Sequence, residues 1–258
     1  MEKDTPMSTR EIRYTFETAD GKTDVFDLSF DSSTMRLQYG LPENLPEWAA
    51  LPFKQCPGCP LDPEETPYCP LAVCLVNVVR EVEHLLSFDT VRLLVRTPER
   101  EVVQTTTAQK GMRSLLGLII ATCGCPRTAF LRPMARFHLP LASSEETVYR
   151  ATAMYTLAQY FRSREGYTVD LDLDILKRLY EDIQSLNMSL AQRLRGVTNS
   201  DSALNAVVLL DLYAQALPVA IQDSLASLRH LFEPFLDQNS AGTCGTCPIT
   251  GRSPSHTE

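Results

Sequence analysis

The stretch from Lys54 to Cys74, KQCPGCPLDPEETPYCPLAVC, holds four cysteines and five prolines in 21 residues. Cys56 and Cys59 have the C-x2-C spacing that turns two sulfurs toward one ion, Cys69 follows in the same loop, and a separate CGCP motif supplies Cys123 and Cys125. Five of the eight cysteines, at 56, 59, 69, 125 and 247, are followed directly by proline, where chance would place about half of one. Proline drives the preceding residue out of the helical region and fixes a bend, the local geometry a metal knuckle needs. The chemistry expected is thiolate ligation by Cys56, Cys59, Cys69 and Cys125, with Cys123, Cys74 and His138 as alternatives for the fourth position. Four thiolates favour structural zinc, while Cys-Pro sequences in close succession are also compatible with an iron-sulfur cluster. The competing reading is a proline-stiffened loop of reduced thiols.

Other groups carry weaker signals. RTAFLRPMARFH gathers Arg127, Arg132, Arg136 and His138, which can hold an anionic ligand, with His138 as acid or base, although a solvated basic loop is the simpler reading. Asp170, Asp172 and Asp174 alternate ahead of a helix but lack the glycine and distal glutamate of a calcium loop, so capping explains them better. His84 and His230 read as helix-end cations. Cys244 and Cys247 form a second C-x2-C, but nothing helical follows it to lower a thiol pKa, and a polar tail is the simpler reading.

Elements must position these groups. EIRYTF, VFDLSF and MRLQY alternate apolar and polar residues, with a DG turn between the first two, and predict a three-strand antiparallel meander. Eight prolines between residues 40 and 70 exclude helix and central strand, leaving an ordered loop that something must tie down. A helix begins at Pro70 with Cys69 as its N-cap and Cys74 on its apolar face. DTVRLLVRT and EVVQTTT form a second hairpin, and QKGMRSLLGLIIATC a buried helix that ends near Gly124 and delivers the CGCP pair. SSEETVYRATAMYTLAQYF opens with a capping box from Ser143 to Glu146 and is apolar on nearly every face, which predicts a helix crossing the interior. Leu176, Leu179, Ile183, Leu186 and Leu190 make a ladder answered by a second arm, an antiparallel helical hairpin that Pro218 should kink or interrupt. The fold class is α+β: an α+β cysteine-rich unit at 11–168, a helical hairpin at 169–236 and a flexible tail at 237–258. The ladder can be covered within one chain by the second arm and the sheet, or, where Pro218 weakens that pairing, by a homodimer through the hairpin.

With 258 residues, 44% of them hydrophobic, the chain can bury a large core without staples. A net charge of -8 disfavours nucleic acid as a partner, and the longest apolar runs are too short or too interrupted to span a membrane. The polar N-terminal residues lack the apolar run of an export signal, so a reducing cytoplasm is the expected compartment. FKQCPGCPL, YCPLA, LLGLIIATCGCP, RPMARFHLP and EETVYRATAMYTLAQYF together resemble an uncharacterised bacterial cysteine-rich family known as a domain of unknown function, over about residues 11–163. The resemblance implies a bacterial cytosolic protein and supplies no activity, cofactor or catalytic residues. The residues alone point to a metal-stabilised binding module; the rival is an iron-sulfur or thiol-redox enzyme acting on an anionic small molecule.

Overall fold

The computed structural model describes residues 9–40, 42, 44–195 and 201–236; residues 202, 209, 213 and 216–224 are described by backbone alone. The expected tail, with Cys244 and Cys247, lies outside the described residues. Strand β1 (Thr9–Thr18) pairs antiparallel with β2 (Thr23–Asp31), which pairs with the two-residue β3 (Leu37–Gln38). This is the expected meander. The second hairpin, β4 (Thr90–Arg96) and β5 (Glu101–Thr107), joins it edge-on because β4 pairs with β1, giving one five-stranded antiparallel sheet of order β3-β2-β1-β4-β5. The period-2 alternation puts Ile12, Tyr14, Phe16, Phe26, Leu28, Phe30, Leu93 and Val95 on one buried face.

Helices cover that face. Helix α1 (Pro70–Glu81) starts with proline at its first position and Cys69 as N-cap. Helix α2 (Ala108–Thr122) lies close against the sheet: a Cβ on Gly111 would stand 2.6 Å from a ring carbon of the buried Phe16, so only glycine permits this approach. After α2 come a 3-10 turn at Pro126–Leu131 and the short α3 (Arg132–Arg136). Helix α4 (Ser144–Arg164) opens with the full capping box between Ser143 and Glu146.

The expectation that α4 crosses the interior is corrected here. Val148, Ala151 and Tyr155 face inward, but Tyr149, Leu157, Tyr160 and Phe161 on the other side are about half exposed. An all-round apolar sequence carries no phase, so periodicity could not assign this helix a depth. Helix α5 (Asp174–Leu194) and helix α6 (Asp201–Leu228) form the hairpin, followed by a 3-10 turn and α7 (Glu233–Leu236). Helix α6 runs past Pro218 as one helical segment. Leu176, Ile183, Leu186 and Leu190 are buried, and Leu186, Leu190, Ala203, Ala206 and Val207 belong to the same core as the sheet and α2. Four of the five rungs behind the dimer expectation are thus covered within one chain, and Leu179 is half-buried. No single helix among the described residues is long and apolar enough to cross a membrane, and α2 reaches the needed length only together with the segment beyond a 113° bend.

Candidate metal centre

The proline loop is built around Cys56. Lys54 and Gly58 both take left-handed backbone angles (φ 46° and 66°), bending the chain on either side of the cysteine. The Cys59 amide donates to the Cys56 carbonyl at 3.0 Å, closing the knuckle turn expected of CPGC. Further along, Cys69 is fixed by a short antiparallel contact: its amide donates to Ala49 O at 2.9 Å, the Leu51 amide donates to Pro67 O at 2.8 Å, and Ala50 bridges Tyr68. Cys125 arrives from the opposite side, at the start of the 3-10 turn that follows α2. Gly124 just before it has φ 91°, and a side chain there would meet Arg36.

These three segments converge. Charge on Cys69, Cys59 or Cys56 acts on Cys125, and charge on Cys69 or Cys59 acts on Cys56, so the four thiols share one electrostatic neighbourhood. Burial pushes the Cys56 thiol up from its ordinary pKa and that of Cys125 up to about 11, with the negative neighbours adding to the shift. Opposing donors favour the thiolate at particular sulfurs: the Arg127 amide at Cys125, and the Ser189 hydroxyl and Arg127 guanidinium charge at Cys56. Cys69 stands at the N-cap of α1. All six described cysteines are free, and among the described residues no three or more His, Cys, Asp or Glu side chains are gathered closely enough to hold an ion as they stand.

Cys74 and Cys123 lie beside this group and make a different set of contacts. Cys74 is partly buried, bonds to the Tyr39 hydroxyl and approaches the Cys123 carbonyl at 3.9 Å, and burial pushes its pKa up to about 12. Cys123 is buried with its thiol on the Ile120 carbonyl at 3.4 Å and is held well above its ordinary pKa, again by burial first. Both sit in electrostatic reach of Cys69.

The basic segment does not form one site. Arg127 donates to Pro57 O at 2.8 Å and pairs with Asp182, which clamps the turn after α2 onto the knuckle. Arg132 has a buried Nε without a partner among the described residues, and Arg136 ends α3. His138 points elsewhere: Tyr14 Oη lies 2.5 Å from its Nε2, and Ser114 Oγ lies 2.9 Å from that same hydroxyl. Burial, with Arg150 and Arg10 behind it, pushes His138 down to about 3, so it is neutral and accepts from Tyr14. That bonding removes it from the thiol group. His84 pairs with Asp24 at 3.3 Å, and His230 bonds Ser227 O. Asp170 takes the Tyr155 hydroxyl at 2.7 Å and the Ile175 amide at 2.7 Å, the capping role its position predicts. Asp174 pairs with Lys177 at 3.0 Å.

Sequence reasoning missed the residue that ties the loop down. Arg193, on the last turn of α5, is 2% exposed and donates to Trp48 O at 2.8 Å, Ala50 O at 2.7 Å and Leu51 O at 2.9 Å. Its guanidinium forms no ion pair among the described residues. The fork geometry of arginine suits three converging carbonyls, and the chain beneath the knuckle is thereby fastened to the hairpin.

A family profile described as a domain of unknown function, DUF6901, matches residues 12–233. The chain belongs to that family. The match takes in α5 and α6, which the resemblance over 11–163 left outside, so the residues that fasten the loop are part of the family unit. No curated protein and no solved structure matches the chain.

Proposed function

We propose that this DUF6901 chain is a cytoplasmic binding module whose proline loop is locked by a thiolate-ligated metal, structural zinc, on Cys56, Cys59, Cys69 and Cys125. The observation that supports this reading is that four thiols from three separate segments, each followed by proline, share one electrostatic neighbourhood, with the Ser189 hydroxyl and Arg127 at Cys56 and the Arg127 amide at Cys125. Loading zinc displaces thiol protons and draws the knuckle, Cys69 and Cys125 together by adjusting a loop that is already anchored at both ends. A reducing compartment keeps such thiols available.

A second reading has its own observation. Cys-Pro sequences in close succession also suit an iron-sulfur cluster, which spreads its thiolate ligands over several iron atoms. Colour separates the two, because a cluster absorbs in the visible and zinc is silent. Anaerobically purified chain that is colourless and zinc-loaded supports the first reading; a brown, iron-loaded chain supports the second. Metal-free chain that takes up neither zinc nor iron and sulfide under reducing conditions defeats both.

A further inference from the structure

An open groove of about 740 Å³ runs along α4, walled on one side by the 3-10 turn and α3 and on the other by the start of α5. It follows α4 from Tyr149 to Phe161, about 18 Å at 1.5 Å per residue. Phe130, Met134, Leu157, Phe161 and Leu179 make it apolar, and its volume falls within the range of about 300–1,000 Å³ usual for small-molecule sites. The groove is cut into the chain, because its lining reaches down to the buried Tyr155 and Gln159. Their polar ends are committed: the Tyr155 hydroxyl donates to Asp170, and Gln159 Oε1 accepts the Asp170 amide.

The charge lining this groove is all of one sign. Arg150 and Arg162 line it, and no Asp or Glu does. Arg162 is taken up at one end, donating to Thr168 O from Nε and Nη2 with its guanidinium over the Tyr167 ring. Arg150 is open at the other. Its Nη2 donates to Met134 O at 2.9 Å and to Phe137 O at 2.8 Å, and both residues line the groove, which seats the guanidinium at the α3 end. Nε and Nη1 have no partner among the described residues and are not buried, so three N–H donors remain accessible there. No carboxylate pairs with Arg150 among the described residues; Glu146 acts on it by charge alone, while its carboxylate caps the Ser143 amide. A cation drawn partly out of water with two carbonyls as its only hydrogen-bond partners is short of a counter-charge.

We propose that the groove binds a medium-chain amphiphilic carboxylate, its head group on the open donors of Arg150 and its acyl chain along α4 over Met134, Leu157 and Leu179. The carboxylate supplies the missing counter-charge through a charge-assisted hydrogen bond, and methionine with aromatic neighbours adapts to a flexible chain. The site lies apart from the thiols and does not depend on the metal reading.

Decanoate and decyltrimethylammonium share a tail and differ in head charge, so calorimetric titration of the full chain with each, below micelle formation, tests the assignment. Saturable decanoate binding is expected, at least about tenfold tighter than the ammonium, the factor one charge-assisted hydrogen bond supplies. From hexanoate through octanoate to decanoate, affinity should rise by up to about fourfold per added methylene as more tail enters the groove. Arg150→Met should remove the preference for carboxylate. Leu157 is 54% exposed and about two turns along α4 from Arg150, so Leu157→Glu spares the fold; it should abolish saturable decanoate binding by setting a charge against the tail, and it tests the site even where Arg150→Met fails to fold. Equal affinity for the two head groups, no saturable decanoate binding into the millimolar range, or unchanged binding in Leu157→Glu overturns the proposal. A dimeric mass in light scattering that Leu157→Glu converts to a monomeric one gives the groove to a second copy and overturns it as well.

Discussion

Replacing Arg193 by methionine keeps much of the apolar stem but removes three charge-assisted bonds to the carbonyls of Trp48, Ala50 and Leu51. Bonds to a charged donor contribute about 1.5–3 kcal/mol each, so the gross loss is of order 5–9 kcal/mol. Against this stands relief from holding a guanidinium at 2% exposure, which offsets several kcal/mol. The net cost is roughly 3–5 kcal/mol, comparable with breaking a buried charged pair. For a chain of this size, about 2–4 °C per kcal/mol translates that into a fall in Tm of roughly 6–20 °C. Urea unfolding followed by far-UV circular dichroism, with a check that separate probes coincide, measures it. Arg193→Lys should recover only part, because an ammonium lacks the fork that reaches three acceptors at once. A methionine variant within roughly 1 kcal/mol of the unsubstituted chain would refute the claim that this arginine fastens the loop.

Gly111→Ala should destabilise the chain by about 1–3 kcal/mol despite the higher helix propensity of alanine, since the new methyl meets Phe16; a neutral or stabilising result in a thermal melt would show that the sheet and α2 can move apart. His138 has a folded pKa of about 3, below its ordinary unfolded value, so the unfolded state binds the extra proton: its contribution is intact above about pH 6.5 and is lost as pH falls toward 3, with a slope of at most about 1.4 kcal/mol per pH unit. Stability against pH for His138→Gln should be flatter across that window, and an unchanged slope would contradict the buried neutral assignment. Because burial raises the thiol pKa values of Cys56 and Cys125, zinc affinity should increase with pH between 6 and 8, by up to about one decade per unit for each thiol deprotonated; competition titrations with a chelator that show no dependence would argue against thiol ligands.

Local patterns made much of this fold legible. Alternation in EIRYTF and VFDLSF specified strands and their buried faces, Pro70 marked the start of α1, and Ser143 with Glu146 marked that of α4. Proline after cysteine marked Cys56, Cys59, Cys69 and Cys125, which lie in one electrostatic neighbourhood that Cys74 and Cys123 border. What escaped depends on distant partners. Arg193 sits in RLRG and reads as a solvated cation at a helix end, because its three acceptors are backbone carbonyls some 140 residues earlier in the chain. The four basic residues from Arg127 to His138 looked like one group until the helical turn at 126–136 sent Arg127 to Pro57 and the chain carried His138 to Tyr14. The depth of α4 was unreadable for the opposite reason: apolar residues on both sides erase the phase that distinguishes a core helix from a surface one.

The central claim is that Cys56, Cys59, Cys69 and Cys125 act as one ligand set. Elemental analysis of the full chain, purified under reducing and oxygen-free conditions alongside Cys56→Ser, Cys59→Ser and Cys74→Ser, tests it most directly. The account predicts stoichiometric zinc in the unsubstituted chain, loss of it in both knuckle variants, and retention in Cys74→Ser, whose thiol is engaged with Tyr39 and the Cys123 carbonyl. Absence of stoichiometric metal from the unsubstituted chain, or full retention in both knuckle variants, would contradict it.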